Sequence, residues 1–375
     1  MIENINEVEE VGVEEEIDVD LSGDEIKEHP FCTKDIKINP VPVTLDNIVK
    51  RLQYKEIDLS PAFQRKGDLW TRKKMSRLIE SILLRLPLPM FYFDVSDPDK
   101  WIVIDGLQRL STIRRFMVKK DLKLGYLEFL TDLTGKKFSD LDRSYQRIIE
   151  ETQIMTYQVE GQTPKEVKYS LFNRINTGGL TLTPQEIRQA LNQKNHGVRI
   201  LESMIETDSF KRIVNIRSKR MVANELALRF IGFKEVDPKV SFSQSLSEFL
   251  DRTMEKIDLL DESYIEKYKE ELNETLIYIE KIMSKDVVFN KTLARPRNMK
   301  SLNRSLFDVW TITIYKLDGN ERRNLLTKKA LLREKYKELL LNQEFDDTIT
   351  KGSNDKKNIV KKFKMFDEMI REVLI

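Results

Sequence analysis

The chain reads WIVIDGLQRLSTI at residues 101–113, and this stretch decides the fold. A β-rich apolar run ends in Asp105 and Gly106, and a segment with helical periodicity begins near Gln108. The stretch therefore predicts a strand, a tight turn and a helix. Gly106 can adopt backbone angles that other residues avoid, and it lets a ligand approach closely. Because free N–H groups at a helix start attract anions, the turn is the predicted phosphate-handling site.

The polar residues of this turn are candidates for catalysis. Asp105 is suited to hold a divalent cation or to orient a water molecule, and the Arg109 fork matches phosphate oxygens in pairs. Gln108 would place the attacking nucleophile. An alternative interpretation is structural, with Asp105 capping the helix and Arg109 pairing with it. The predicted catalytic residues are Asp105, Gln108 and Arg109, and Asp105 is the predicted metal ligand.

Two further polar clusters are candidates for the same site. The first, PAFQRK at residues 61–66, follows a predicted strand at 57–59 and is either a binding loop or an exposed basic turn. The second contains paired glycines at 178–179, which either expose backbone donors to a phosphate or only close a helix. The predicted cofactor-binding residues are Gln64, Arg65, Gly106, Arg174, Asn176, Gly178 and Gly179.

The pattern of hydrophobic residues divides the chain into three parts. Short strands and helices alternate to about residue 160, with a helix capped by Thr44 and another capped by Thr71. Capping boxes begin at Thr163 and Thr183, and amphipathic helices dominate beyond residue 195. The predicted fold class is α+β, with an all-helical C-terminal extension. The predicted domains are an acidic, disordered tail (1–30), an α+β domain (31–195) that contains the predicted phosphate-handling turn, and a helical domain (196–375).

The net charge of +2 conceals a strong asymmetry. Residues 1–28 carry twelve Asp/Glu and one Lys, which leaves a net of +13 on the remaining chain. A basic body favours a polyanionic partner such as DNA, and the acidic tail either competes for that surface or only aids solubility. One basic segment precedes a predicted helix and is either a phosphate-contacting surface or a solvated face. Its predicted nucleic-acid-binding residues are Arg295, Arg297, Lys300 and Arg304.

Several classes of protein are excluded by the sequence. The longest apolar runs are far shorter than the roughly 18–20 residues that span a bilayer, so no membrane partner is expected. The acidic N-terminus is unlike a signal or transit peptide, and a single cysteine, Cys32, fits a reducing cytoplasm. The two histidines, His29 and His196, cannot supply a His-Asn-His nuclease site or a zinc site.

Four blocks of sequence resemble the N-terminal domain of GmrSD-type restriction proteins. They are FQR at 63–65, LIESI at 78–82 leading to PLP at 87–89, IDGLQRLSTI at 104–113, and FNRINTGG at 172–179 followed by LTPQEIR at 182–188. Asp105, Gly106, Gln108 and Arg109 match the family's Asp-Gly-Gln-Gln-Arg signature. Leu107 stands where the first Gln is usual. If Leu107 only packs under the turn, nothing is lost, whereas a contact with nucleotide or water would weaken hydrolysis.

The resemblance implies a ParB/sulfiredoxin-like core and a role in bacterial defence. It implies that the domain binds and hydrolyses a nucleoside triphosphate (NTP) with Mg²⁺, senses DNA and controls a nuclease or other effector protein supplied in trans. A homo-oligomer is an open alternative for its assembly. A second interpretation is a non-catalytic DNA-binding or regulatory adaptor with a degenerate nucleotide site. A third is direct phosphodiester hydrolysis by this domain.

Overall fold

The computed structural model describes residues 12–14, 33–59, 70–175, 183–192, 196–216, 221–239, 242, 244–296 and 301–375. The chain forms two compact units, an α/β unit of residues 25–191 and a helical unit of residues 1–24 with 192–375. An α+β N-terminal part followed by a helical part confirms the predicted fold class. In the part of the chain that is described, no helix combines the length and apolarity needed to cross a membrane.

The α/β unit is built on a five-stranded mixed sheet. In spatial order the strands are β2 (Ile38–Thr44), β6 (Gln153–Val159), β4 (Phe91–Asp94), β5 (Trp101–Asp105) and β3 (Ile57–Asp58). The two parallel pairs are β4 with β6 and β3 with β5, and the other neighbours are antiparallel. The parallel pairing places the carboxyl ends of β3 and β5 at one edge of the sheet, where the chain enters the 106–113 segment.

Six helices surround this sheet. They are α1 (Leu45–Gln53), α2 (Arg72–Leu83), α3 (Leu107–Ile113), α4 (Arg143–Glu151), α5 (Lys165–Ile175) and α6 (Pro184–Leu191). The predicted caps are confirmed for α1 and α2, where the side chains of Thr44 and Thr71 accept from backbone N–H groups three residues on. The capping box of Thr183 and Glu186 is also present. A π-helical turn, Arg114–Val118, extends α3.

The two faces of the sheet bury different sets of residues. One face packs on helices α1 to α4 and contains Phe91, Phe93 and Trp101. The Trp101 ring contacts Phe93 and belongs to this part of the core. On the other face, Ile104 and Val159 pack against Leu171 of α5 and Ile187 of α6. Since burial of apolar area is the main stabilising term in folding, these two layers hold the end of β5 between them.

The helical unit has ten helices among its described residues. They are α7 (His196–Ile205), α8 (Asp208–Ile213), α9 (Val222–Glu235), α10 (Leu246–Asp258), α11 (Ser263–Ile282), α12 (Arg304–Lys316), α13 (Gly319–Thr327), α14 (Lys329–Leu341), α15 (Gln343–Thr350) and α16 (Lys356–Leu374). Trp310 lies in the core against Tyr336 and Phe366. The charge of Arg229 is buried with Asp308 at 3.1 Å and with Glu225 at 2.7 Å.

The structure corrects two expectations, one about a strand and one about disorder. The sequence predicts a short strand at residues 35–38, but the strand begins only at Ile38, because residues Thr33–Asp35 form a 3-10 turn. The predicted disorder does not hold for residues 12–14 of the acidic segment. Residues Gly12–Val13 form β1, which pairs in parallel with β7 (Ser301–Leu302) of the helical unit. Two-residue strands give almost no periodic signal, so neither was predictable from hydrophobic pattern.

Buried tyrosines give the helical unit a pH-dependent stability. Burial raises the pKa of Tyr268 to about 12, and nearby Glu235 and Glu271 add to the effect. A phenol whose pKa is higher in the folded state stabilises that state fully below pH 10, and the stabilisation is lost as the pH rises toward 12. We expect the free energy of unfolding, measured with urea, to fall between pH 9.5 and 11.5. Tyr268→Phe keeps the ring but cannot ionise, so the fall should be smaller; an unchanged slope would contradict this assignment.

Candidate functional site

Gly106 makes the turn between β5 and α3. It is the N-cap of α3 and has φ +101° and ψ 7°. Residues other than glycine rarely adopt this left-handed conformation. The Phe91 ring packs so closely under Gly106 that a Cβ atom would overlap its Cδ1. The predicted alternative in which Asp105 caps the helix is therefore wrong. The turn needs glycine for two reasons, backbone conformation and space.

Arg109 connects the turn to residues 89 and 90, which directly precede β4. Its Nη1 donates to the Pro89 carbonyl, and its Nη2 donates to the Met90 carbonyl at 3.1 Å and to Asp105 Oδ2 at 2.8 Å. The guanidinium carbon also lies 4.3 Å from the centre of the Phe91 ring. Burial lowers the pKa of Arg109, and the charge and hydrogen bond of Asp105 oppose that shift. Both Nη atoms thus donate to acceptors within the protein. One of these acceptors is Asp105, so the predicted pairing of Arg109 with Asp105 is present.

Asp105 is the partly exposed member of this pair. Its side chain is 35% exposed, against 9% for Arg109, so the carboxylate is accessible from solvent. Tyr92 of β4 pairs with Asp105 in the strand register and stacks on Tyr157 with ring centres 5.0 Å apart. Burial first, and then the charges of Tyr157 and Asp105, raise the pKa of Tyr92. Sequence reasoning did not select Tyr92, because only strand pairing brings it beside Asp105.

Gln108 connects the turn to the segment that follows β3. Its Oε1 accepts a hydrogen bond from the backbone N–H of Trp70 at 3.2 Å. Since β3 runs parallel to β5, the described residues on both sides of segment 60–69 lie at the edge where Asp105 ends its strand. Gln64 and Arg65, the predicted binding residues of that segment, lie outside the described residues.

Helices α5 and α6, which precede and follow segment 176–182, both pack near the same strand. Leu171 of α5 and Ile187 of α6 both pack on the cluster that contains Ile104, the residue before Asp105. Arg174, in the last turn of α5, is exposed. Asn176, Gly178 and Gly179 lie outside the described residues, so their predicted contact with phosphate stays a prediction.

Leu107 has a packing role. Its side chain is partly buried and lies against the hydrophobic cluster on the α1–α4 face of the sheet. An apolar residue therefore serves this position without leaving a buried polar group unpaired.

Comparison with known proteins agrees with this geometry. Residues 45–193 match the family described as the GmrSD restriction endonuclease, N-terminal domain. The chain carries a GmrSD N-terminal domain. The match begins at α1, so it includes strands β3 to β6 but not β2. It also includes the turn, segment 60–69 and the α5–α6 loop. The description of the matched family points to a restriction system, and the match covers residues 45–193 of the 375-residue chain. A search of curated proteins finds no match.

The GmrSD N-terminal domain contains a buried carboxylate that the sequence did not explain. Glu80, in the LIESI block of α2, accepts backbone hydrogen bonds from Glu128, Phe129 and Leu130 at 2.7–3.0 Å. Its role is to fix the segment after the π-helical turn. A second buried pair, Asp94 with Lys168 at 3.0 Å, ties α5 to β4. Both are contacts between distant parts of the chain, so residue type alone gave no sign of them.

The amide side chains of α6 form another group that sequence reasoning missed. Gln185 Nε2 and both polar atoms of Gln189 are buried and have no hydrogen-bond partner within the described part of the structure. Buried polar groups in proteins are nearly always bonded, so an unpaired amide marks a position that a partner can satisfy. Gln185 is the second residue of α6 and lies in the LTPQEIR block of the GmrSD domain, and Gln189 follows one helical turn later.

Asp105 is the candidate metal ligand among the described residues of this site. No group of three or more His, Cys, Asp or Glu side chains with metal-binding geometry occurs among the described residues. Mg²⁺ in nucleotide sites is commonly held by one or two carboxylates, by phosphate oxygens and by water. The partly exposed Asp105 carboxylate has the chemistry that such a role needs.

Outside the GmrSD domain, two of the predicted nucleic-acid-binding residues are described. Arg295 is 45% exposed and pairs with Asp346 at 2.9 Å. Arg304 is only 16% exposed and lies 3.8 Å from Glu225, so most of its side chain faces the protein. Arg297 and Lys300 lie outside the described residues.

Proposed function

We propose that the GmrSD N-terminal domain of this chain binds a nucleoside triphosphate with Mg²⁺ at the carboxyl edge of β5 and hydrolyses it. The nucleotide state then controls a nuclease or other effector supplied in trans, in response to DNA bound by the helical unit. The observation that carries the proposal is the hydrogen bond between Trp70 and Gln108. It joins Trp70, the first described residue after the predicted binding residues Gln64 and Arg65, to the turn that presents Asp105.

The packing of α5 and α6 supports the same assignment. Through Leu171 and Ile187, both helices rest on the cluster around Ile104, so the loop between them starts and ends on the same face of the sheet. Described residues that flank two polar segments, 60–69 and 176–182, thereby lie near the strand that carries Asp105. Backbone N–H groups of glycine-containing loops are well suited to phosphate oxygens, which is the expected role of Asn176, Gly178 and Gly179.

The residues of the turn divide the work between chemistry and positioning. Asp105 would hold Mg²⁺ or orient the attacking water, and Gln108 would align that water. Arg109 is a positioning residue, because its Nη atoms hold Asp105 and the carbonyls of residues 89 and 90 in place. The stacked pair of Tyr92 and Tyr157 supplies an aromatic surface beside Asp105 on which a nucleobase could stack.

Control of a separate nuclease fits the chemistry that this chain contains. A His-Asn-His type nuclease needs a histidine base beside metal ligands, and the chain has two histidines in all. The net charge of +13 outside residues 1–28 favours contact with DNA phosphates. Exposed basic residues of the helical unit, such as Arg295, are the expected points of contact.

The proposal is tested by NTP turnover of the purified chain with and without DNA. We expect Asp105→Asn to lower turnover by at least about 100-fold, the usual effect of losing a group that positions or activates a nucleophile. Asp121→Asn is the matched control, because Asp121 forms an equivalent pair with Arg115 at 3.0 Å outside the turn. Unchanged turnover in Asp105→Asn would contradict the assignment of the Asp105–Arg109 turn as the catalytic site. Nucleotide binding without turnover would favour the adaptor, and nicking of DNA would favour direct phosphodiester hydrolysis.

A further inference from the structure

The acidic N-terminal segment docks on the helical unit. Gly12 and Val13 pair with Ser301 and Leu302, and the Glu14 N–H donates to the Leu302 carbonyl at 2.9 Å. Val13 also packs against the core of the unit. Glu14 lies within a run of three glutamates, and residues 1–28 carry a net charge of −11. Residues 12–14 of the acidic segment are therefore held beside Ser301 and Leu302 of the helical unit.

The Glu14 carboxylate occupies a built anion site. Its Oε2 accepts from Asn303 Nδ2 at 2.7 Å and lies 4.0 Å from Lys291 Nζ. Asn303 is 4% exposed and Lys291 is 6% exposed, so both groups are fixed inside the protein. Asn303 is further held because its Oδ1 caps α12 and its Nδ2 also donates to the Ile349 carbonyl. A buried cation and a buried amide donor directed at one point suit a carboxylate or a phosphate oxygen.

The charges around this point are balanced only when Glu14 is present. Asp346 pairs with Lys291 and with Arg295, each at 2.9 Å, and the Thr350 hydroxyl also accepts from Lys291. Burial raises the pKa of Asp346, but the hydrogen bonds and charges of Lys291 and Arg295 outweigh it and keep the carboxylate ionised. Within this described cluster, two cations face one carboxylate. Glu14 supplies the second negative charge.

The contact is small enough to be displaced. The strand pairing spans two residues, and the Glu14 side chain remains 29% exposed. Partly exposed ion pairs contribute about 0–1 kcal/mol, so the segment is held largely because it is tethered to the same chain. A polyanion with a high local density of phosphates would compete with it effectively.

We propose that Lys291 and Asn303 form an anion site for a nucleic-acid phosphate, and that Glu14 and its acidic segment occupy this site as a tethered competitor. The inference rests on the proposed function in one respect, the binding of DNA by the helical unit. The acidic segment then limits DNA contact to conditions in which DNA displaces it. Within the chain, residues 1–28 imitate the charge of the nucleic acid.

The test compares DNA affinity in the full chain and in the chain lacking residues 1–28, with fluorescent double-stranded DNA at low and moderate salt. We expect the deletion to raise affinity by about tenfold at low salt, and Lys291→Gln in the deleted chain to lower it again. Glu14→Lys in the full chain should raise affinity more than Glu3→Lys, which changes the net charge equally. A labelled peptide of residues 1–28 should bind the deleted chain and be displaced by DNA.

The outcomes separate this inference from the proposed function. Equal DNA affinity with and without residues 1–28 overturns the competition while leaving DNA binding intact. Equal effects of Glu14→Lys and Glu3→Lys overturn the specific site and leave only general repulsion. If neither chain binds DNA but the peptide still binds the deleted chain, the DNA contact in the proposed function is overturned and the docking site for the acidic segment stands. Peptide that fails to bind a folded deleted chain overturns the docking itself.

Discussion

Gly106→Ala is expected to destabilise the GmrSD N-terminal domain by about 3 kcal/mol or more and to abolish nucleotide binding. Two costs combine at this position. A side chain at φ +101° is strained, and its Cβ would overlap the Phe91 ring. Because the Phe91 side chain is fully buried under Gly106, the ring cannot move aside without disturbing the core. The measurement is urea unfolding of the full chain, together with nucleotide binding of the folded fraction.

Gly135→Ala is the matched control for that substitution. Gly135 also has a left-handed conformation, with φ +86°, but an added Cβ meets no described atom within 4 Å. It should therefore show only the conformational cost, about 1–2 kcal/mol. Combining Gly106→Ala with Phe91→Leu should recover part of the overlap cost. A Gly106→Ala protein as stable as the Gly135→Ala protein would show that Phe91 does not constrain the turn.

Arg109→Ala is expected to destabilise the domain by about 2–4 kcal/mol, because truncating a large buried side chain leaves a cavity and removes its contacts. The substitution leaves the carbonyls of residues 89 and 90 without their donors, removes the contact with Phe91 and frees Asp105. Arg109→Lys keeps the charge, but a single ammonium cannot reach all three acceptors in the same geometry. We expect Arg109→Lys to fall between wild type and Arg109→Ala in urea unfolding.

Arg115→Ala provides the comparison for Arg109. Arg115 pairs with Asp121 at 3.0 Å, with both side chains at least one-third exposed, so its loss should change stability by less than about 1 kcal/mol. Nucleotide affinity should be lost in Arg109→Ala and kept in Arg115→Ala. Similar stabilities of the two variants would contradict the role of Arg109 as the residue that fixes the turn.

Local features of the site were predictable from sequence. The apolar run before Asp105, the glycine and the periodicity after it define β5, the left-handed turn and α3 as they are observed. Thr44 and Thr71 likewise marked the starts of α1 and α2. In each case the determining contacts lie within a few residues, where propensity and capping chemistry act directly.

Long-range contacts were not predictable in the same way. The spacing of Arg109 and Asp105 suggested a pair, but only the fold brings the carbonyls of residues 89 and 90 to the guanidinium. Tyr92 reaches Asp105 through strand register, and Glu80 finds its backbone partners about fifty residues later. The docking of Glu14 on Asn303 spans 289 residues. Residue type gives the chemistry of such groups, and tertiary structure selects the partner.

The most direct test of the nucleotide site is calorimetric titration of the full chain with non-hydrolysable NTP analogues and Mg²⁺. We predict saturable, Mg²⁺-dependent binding that is lost in Asp105→Asn and kept in Asp121→Asn, in proteins that unfold at similar urea concentrations. Binding of equal strength in Asp105→Asn and wild type, or no binding of any NTP by the wild-type chain, would contradict the assignment of the Asp105–Arg109 turn.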